Sequence, residues 1–277
     1  MPAWDESGVA AHAARLRLAV DARRRRGLGA RLGQGPGASL EFHDHRAYAP
    51  GDDLRHLDWA VAARTDQLML RRQRQEVSPR LELLVDGSAS MGLSPAKAAL
   101  AAGLAALLAQ LAEADGARPR VWWCGLQAQA SESAWRTLLR QGGCGGASGC
   151  EQLTGLIPGS ERILISDGLC PAGGSAVVRR LGAGAGRLHL VQVLQQVELD
   201  PQAHGAVRLE DVEGGVSEQV VDAALRLAYR ERLARHQEEW RAALAGRGVG
   251  VVAIRVEAGL EAAIRSLVAS GLVEVGR

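Results

Sequence analysis

Asp86, Ser88 and Ser90 stand at alternate positions in the stretch Leu81–Met91, LELLVDGSASM, directly after the apolar run Leu83, Leu84, Val85. Alternate side chains on an extended segment point the same way, so one carboxylate and two hydroxyls are set to face a common point. A donor set made only of oxygen suits a hard divalent cation such as Mg²⁺ or Mn²⁺. Asp167 closes a second apolar run, Ile163, Leu164, Ile165, and is followed by Gly168, which makes it the natural second carboxylate from an adjacent strand end. Hydroxyls are neutral ligands. An ion held by two serines, with its carboxylates acting in part through water, is under-neutralised and attracts an acidic side chain from another molecule. The expected metal set is therefore Asp86, Ser88, Ser90 and Asp167, in a protein that recognises a partner and is not an enzyme. Asp, Gly and Ser after a strand also make ordinary turns and helix caps; the carboxylate at a second strand end is what favours the ligand reading.

These residues need a frame that brings two strand ends together. The hydrophobic pattern predicts strands at 80–86, 119–124, 162–166, 187–194 and 248–255. It predicts helices at 95–113, 131–139, 174–182, 217–245 and 259–269. Such alternation implies a mostly parallel sheet with helices on both faces, an α/β architecture whose ligands lie beyond the carboxyl ends of the strands. The glycine-rich stretch Gly142–Gly149 must be a loop at the sheet edge or the ligand end. Residues 198–215 read as a hairpin or irregular insertion. Upstream, residues 8–26 suit a helix stopped by Gly27. Residues 27–58 read as ordered loop with a short strand at Ser39–Phe42, and 59–78 lead back to the first sheet strand. The chain thus divides into an N-terminal part, 1–78, packed on a main domain, 79–277.

Composition removes several function classes. The formal net charge of the 277 residues is +2, so bulk electrostatics give no reason to expect nucleic-acid or membrane binding. No apolar run reads as long enough to span a bilayer, the N-terminus lacks the layout of a signal peptide, and a cytoplasmic location is expected. Cys124, Cys144, Cys150 and Cys170 have no CxxC spacing and read as free thiols, with a zinc site from Cys144, Cys150 and Cys170 as the lesser alternative. Every basic residue except Lys97 is Arg. The run Arg23–Arg26 complements the end of a helix dipole or, alternatively, touches an anionic partner. A nucleophile elbow is missing its first Gly, because Ser88 stands there. A phosphatase of the haloacid dehalogenase type needs a second Asp where Ser88 is found. No P-loop is present, and GLGARLGQGPG lacks the strand that a dinucleotide fingerprint requires. What stays open beside the adaptor reading is a hydrolase using Asp86 or Ser90 with the metal as Lewis acid, or a scaffold with a vestigial site.

Asp86-x-Ser88-x-Ser90 with Asp167 resembles the metal-ion-dependent adhesion site of von Willebrand factor A domains. That family adds a threonine from a separate loop, for which Ser148 or Thr154 is the candidate here. The segment from Glu41 to Arg64, EFHDHRAYAPGDDLRHLDWAVAAR, closely resembles the signature of domain of unknown function 58, a bacterial family with a von Willebrand A-like domain. The matching pieces are Glu41-Phe42, Arg46-x-Tyr48, Pro50-Gly51-Asp52-Asp53, Arg55, Asp58-Trp59 and Ala63-Arg64; Glu76, Asp211-x-Glu213 and Tyr229 also fit. The resemblance implies a von Willebrand A-like, Rossmann-like sheet domain and a MoxR-type AAA+ ATPase as partner. It further implies a chaperone-like role in assembling or activating other complexes. Within the signature, Arg46, Arg55 and Arg64 beside Asp52, Asp53 and Asp58 predict an ion-pair network, read as a clasp around the sheet domain or a docking surface. Asp58 is placed to cap a helix starting at Trp59. His43, His45 and His56 read as hydrogen-bonded histidines ahead of a metal cluster.

Overall fold

The computed structural model describes residues 4–19, 41–50, 52–53, 57–65, 67–74, 80–147, 149–212, 214–245 and 250–276. The chain forms two compact units, Met1–Arg26 with Pro79–Arg277, and Gly27–Ser78.

The larger unit is built on a six-stranded sheet of β4 (Arg80–Asp86), β5 (Arg118–Cys124), β6 (Ala128–Ser131), β7 (Glu161–Ser166), β8 (Arg187–Leu194) and β11 (Val251–Arg255). Their spatial order is β11-β8-β7-β4-β5-β6. All neighbours are parallel except β6, which runs antiparallel to β5 at the edge. The chain moves from β4 to β5 and β6 on one side, then returns to β7 on the other side of β4. The order reverses between β4 and β7, and the carboxyl end of that seam is where a doubly wound sheet opens a crevice. Asp86 ends β4 and Asp167 follows β7.

Alternation along each strand divides the core between the two faces. Leu83, Val85, Val121, Ile163, Ile165, Val191 and Val193 pack with α3 (Pro95–Ala114), α4 (Trp135–Gln141) and α8 (Gly259–Ala269). Leu84, Leu164, Leu188 and Leu190 pack on the other face with α5 (Gly174–Leu181) and with Trp240 and Leu244 of α7 (Ala223–Leu244). The mostly parallel sheet with helices on both faces is thus as the pattern predicts.

Helix α3 starts where its sequence dictates: the Ser94 hydroxyl accepts from the Lys97 amide at 3.1 Å and Pro95 takes the first turn. Its Ala and Leu residues make it 20 residues long, and by length and composition it is apolar enough to cross a membrane, contrary to the expectation that no such run exists. Most of it is buried against the sheet.

Other departures have local causes. The helix expected over 8–26 is α1 (Glu6–Ala13), started by the Asp5 side chain accepting from Gly8 N. It ends early because β1 (Leu16–Leu18) pairs antiparallel with β12 (Val273–Val275) at the far end of the chain. Val9 and Leu18 join the main core, so this N-terminal piece belongs with the sheet and not with the signature segment. Arg23–Arg26 lie outside the described residues. The expected helix at 131–139 begins at Trp135, with β6 before it. The insertion after β8 is a one-turn helix, α6 (Gln196–Leu199), and an exposed hairpin, β9 (Gly205–Glu210) and β10 (Val216–Val221). The hairpin takes the first residues expected for the long helix, and α7 starts at Ala223, capped by Asp222.

The smaller unit holds a hairpin of β2 (Glu41–Ala47) and β3 (Met69–Arg74), with an irregular register between Phe42 and Asp44. Between them lies α2 (Trp59–Thr65). Asp58 caps α2, its Oδ1 accepting from the amides of Ala60 and Val61 at 3.1 and 3.2 Å, as the sequence predicts. Asp52 Oδ2 accepts from Ala49 N at 2.8 Å and closes the turn before it. The side chains of His43, His45, Arg46, Arg55 and His56 lie outside the described residues, and with them the expected ion pairs and histidine cluster.

Candidate functional site

The apolar strand β4 delivers Asp86 to the seam, and the turn that follows needs glycine. A Cβ on Gly87 would come within 2.6 Å of Trp123 Nε1 and 3.0 Å of the Gly125 backbone. That close approach aims the next residues across the strand end. Ser88 Oγ and Ser90 Oγ lie 3.1 Å apart. The glycine-rich loop sits over them: Gly145 N donates to Gly87 O and Ala89 N to Gly146 O, both at 2.9 Å. It is therefore a loop at the ligand end.

Asp86 and Ser88 are buried, as is Asp167. Asp86 Oδ1 accepts from Ser88 N at 3.0 Å, and Oδ2 from Ser166 Oγ at 2.6 Å. Ser166 is the last residue of β7, and its oxygen also accepts from Gly168 N at 2.9 Å. Burial pushes the Asp86 carboxyl above its ordinary value, and the nearby Asp167 charge pushes it the same way, against the hydrogen bonds from Ser166 and Ser88. Among the described residues, no cationic side chain pairs with Asp86.

Asp167 is held differently. Its Oδ1 accepts from Leu169 N at 3.0 Å, while its Oδ2 accepts from Lys97 Nζ at 2.9 Å. Lys97 also donates to Glu198 Oε1 at 2.6 Å and to the backbone oxygen of Ser90 at 3.1 Å. Gln192 Nε2 fixes the Asp167 carbonyl at 2.9 Å. Gly168, in the left-handed region at φ 75°, presents its carbonyl to Trp240 Nε1 and to the His236 ring. A side chain there would press on the Trp240 indole.

All four sequence-predicted residues thus gather at the seam. Three belong to one oxygen cluster, and the fourth is already engaged by an ammonium. Lys97, Ser166 and Glu198 were not legible as site residues. The one available signal was that Lys97 is the only lysine in the chain. Thr154 is exposed and follows the 3-10 helix Cys150–Gln152, and the carbonyl of its neighbour Gly155 accepts from Arg120 Nη1 of β5 at 3.1 Å. Ser148 lies outside the described residues. Cys144 and Cys170 are free thiols, and Cys170 donates to Glu151 Oε1 at 3.0 Å. Among the described residues no group of three or more His, Cys, Asp or Glu side chains is arranged to hold a metal. Any cation site here must therefore use the hydroxyls.

The hydroxyl pair fits that use. Two neighbouring ligands of an octahedral ion, each at about 2.1 Å, are separated by about 3.0 Å. The serine oxygens stand close to that separation, beside a buried carboxylate that lacks a counter-charge. Two carboxylates, Asp167 and Glu198, meet one ammonium, and the buried Asp86 stands near Asp167 with no counter-charge of its own among the described residues.

An open, mostly parallel α/β sheet with a polar cluster at its switch point defines the class. The family model described as "Protein of unknown function DUF58" matches residues 44–137 of the chain. The match takes in the signature segment from Asp44 onward and the Asp86–Ser90 loop. The chain is also 28% identical over 263 residues to uncharacterized protein Rv1480 of Mycobacterium tuberculosis and to uncharacterized protein Mb1516 of Mycobacterium bovis, covering 87% of this chain and 83% of each relative.

Proposed function

We propose that the chain is a non-catalytic adaptor of the von Willebrand factor A-like type, in which Asp86, Ser88 and Ser90, with Asp167 beside them, hold Mg²⁺ or Mn²⁺. Bound there, the ion supplies a positive charge to which an acidic side chain of a protein partner adds its carboxylate. The observation that carries this reading is the hydroxyl pair at 3.1 Å next to the uncompensated Asp86. The strand order supports the fold type: the seam lies where such sheets place ligands. The resemblance of the signature segment points to a MoxR-type AAA+ ATPase as partner, in chaperone-like assembly or activation of protein complexes.

The catalytic alternative has less behind it. Ser90 Oγ is bonded to another hydroxyl, and among the described residues no imidazole bonds Ser88 or Ser90 to take a proton. The test is co-purification with an AAA+ ATPase and its client at saturating Mg²⁺, comparing the native chain with Asp86→Asn. Loss of the complex in a variant that keeps its fold is the expected result. A complex untouched by Asp86→Asn or by chelation overturns the reading. Ester or phosphate turnover that the variant loses would favour the hydrolase.

A further inference from the structure

Lys97 is the sole lysine, every other one of the 33 Lys and Arg positions being Arg, and its side chain is wholly buried. An ammonium has three donors, and here each has an acceptor: Asp167 Oδ2, Glu198 Oε1 and Ser90 O. Lys97 sits in the first turn of α3, the end of a helix where positive charge is disfavoured. The carboxylates around it must offset both that field and the loss of water.

Two of the three acceptors belong to the proposed cation cluster. Asp167 is its second carboxylate, and Ser90 brings its second hydroxyl. The third acceptor stands outside. Glu198 rides on α6, where its other oxygen accepts from Gln195 N at 2.7 Å. The ammonium therefore has two holds inside the cluster and one beyond it. Two like charges forced together in a buried site repel strongly. A divalent ion on Ser88 and Ser90 would sit next to an ammonium that already grips the same residue's backbone.

We propose that Lys97 is an internal competitor for the cation: its ammonium and a divalent ion hold Asp167 in alternation, with Glu198 keeping the ammonium when Asp167 is released. This rests on the reading of the cluster as a cation centre. It makes the fold independent of the metal, because Lys97 neutralises Asp167 when no ion is bound. It also sets a threshold, since an entering ion must displace a partner already in place.

The single lysine gives a direct readout. The native protein is treated with an amine-acetylating reagent with and without Mn²⁺, and modification of Lys97 is followed by peptide mass spectrometry, with an added lysine peptide as internal reference. Mn²⁺ affinity is measured by calorimetry for the native chain and for Lys97→Met. The expected results are Lys97 labelling about tenfold faster at saturating Mn²⁺ and Mn²⁺ binding about tenfold tighter in Lys97→Met. If Mn²⁺ binds the native chain but labelling is unchanged, Lys97 is a structural pin. The competition is then overturned while the cation centre stands. If neither protein binds Mn²⁺, both fall. Should Lys97→Met fail to fold, the labelling of the native protein decides alone.

Discussion

The sheet carries buried charge at both ends, and the two ends are built to opposite rules. At the amino end, Glu82 accepts from Trp122 Nε1, Ile157 N, Ser160 Oγ and Arg162 Nε, between 2.7 and 3.2 Å. Arg162 also donates to the carbonyls of Leu181, Ala183 and Ile157. One carboxylate faces one guanidinium, and each is bonded several times over. Beside them Glu161 and His189 form a second buried pair at 2.7 Å. At the carboxyl end, Asp167 and Glu198 share one ammonium, and Asp86 has only hydrogen bonds for company. A buried polar network that is fully satisfied fixes a structure, while one left short of charge is a place where something binds. The contrast distinguishes the structural end of the sheet from its candidate site without reference to any relative.

The largest effect should come from breaking the balanced end. Arg162→Met strands Glu82 in the core and should cost about 3–5 kcal/mol, read as a fall in the urea midpoint. Asp86→Asn, equally buried, should change stability by no more than about 1 kcal/mol, because it removes a charge that nothing neutralises. Equal losses at the two ends would erase the distinction.

Next in size is the response to cation. Mn²⁺ at about 100 times its Kd should add about 2.7 kcal/mol to the native chain. The gain should vanish in Asp86→Asn and Ser88→Ala, and a thermal scan of the three proteins side by side is sufficient. A gain that persists in both variants would locate the ion elsewhere.

The pH dependence follows from the sign of the Asp86 shift. Its folded-state value lies above the ordinary carboxylate value of 3.8, mainly through burial and then through Asp167. The unfolded chain therefore gives up this proton first as pH rises. The stability Asp86 contributes is complete below pH 3.8 and is lost as pH climbs through the raised folded value. In metal-free buffer, the difference in stability between Asp86→Asn and the native chain should grow in favour of the variant across that window. A difference that stays flat with pH would mean that Asp86 already has a counter-charge.

Much of the frame was legible because it is written locally. The runs Leu83–Val85 and Ile163–Ile165, each closed by an aspartate, mark the two strand ends that matter. Ser94-Pro95 marks the start of α3, and Asp58-Trp59 that of α2. What was hidden depends on partners far away in sequence. Leu16–Leu18 continues a helical pattern and becomes a strand only because Val273–Val275 is there to pair with it. Lys97 looks like a solvated charge in a helix start until the fold sets Asp167, 70 positions away, against its ammonium. Glu82 and Arg162 interrupt apolar strands and gave no hint of each other, since only the parallel register of β4 and β7 makes them partners. Local pattern reveals where a strand ends. The charge balance of what gathers there is a property of the assembled sheet.

The smallest effect offers the finest comparison, because each end has a serine donating to its buried carboxylate. Ser160 Oγ reaches Glu82 Oε2 at 2.7 Å, and Ser166 Oγ reaches Asp86 Oδ2 at 2.6 Å. Losing either hydroxyl should cost about 1–2 kcal/mol. At Glu82 three other donors remain, so Ser160→Ala should lower stability and leave Mn²⁺ affinity alone. At Asp86 only the amide and hydroxyl of Ser88 remain. Ser166→Ala should hold the carboxyl further above its ordinary value and weaken Mn²⁺ binding by about three- to tenfold at neutral pH, with recovery as pH is raised. Calorimetric titration of both variants at two pH values measures the difference. If Ser160→Ala weakened Mn²⁺ binding as much as Ser166→Ala does, the two networks would be coupled through β4 and β7, and the division of the sheet into a structural end and a binding end would not hold.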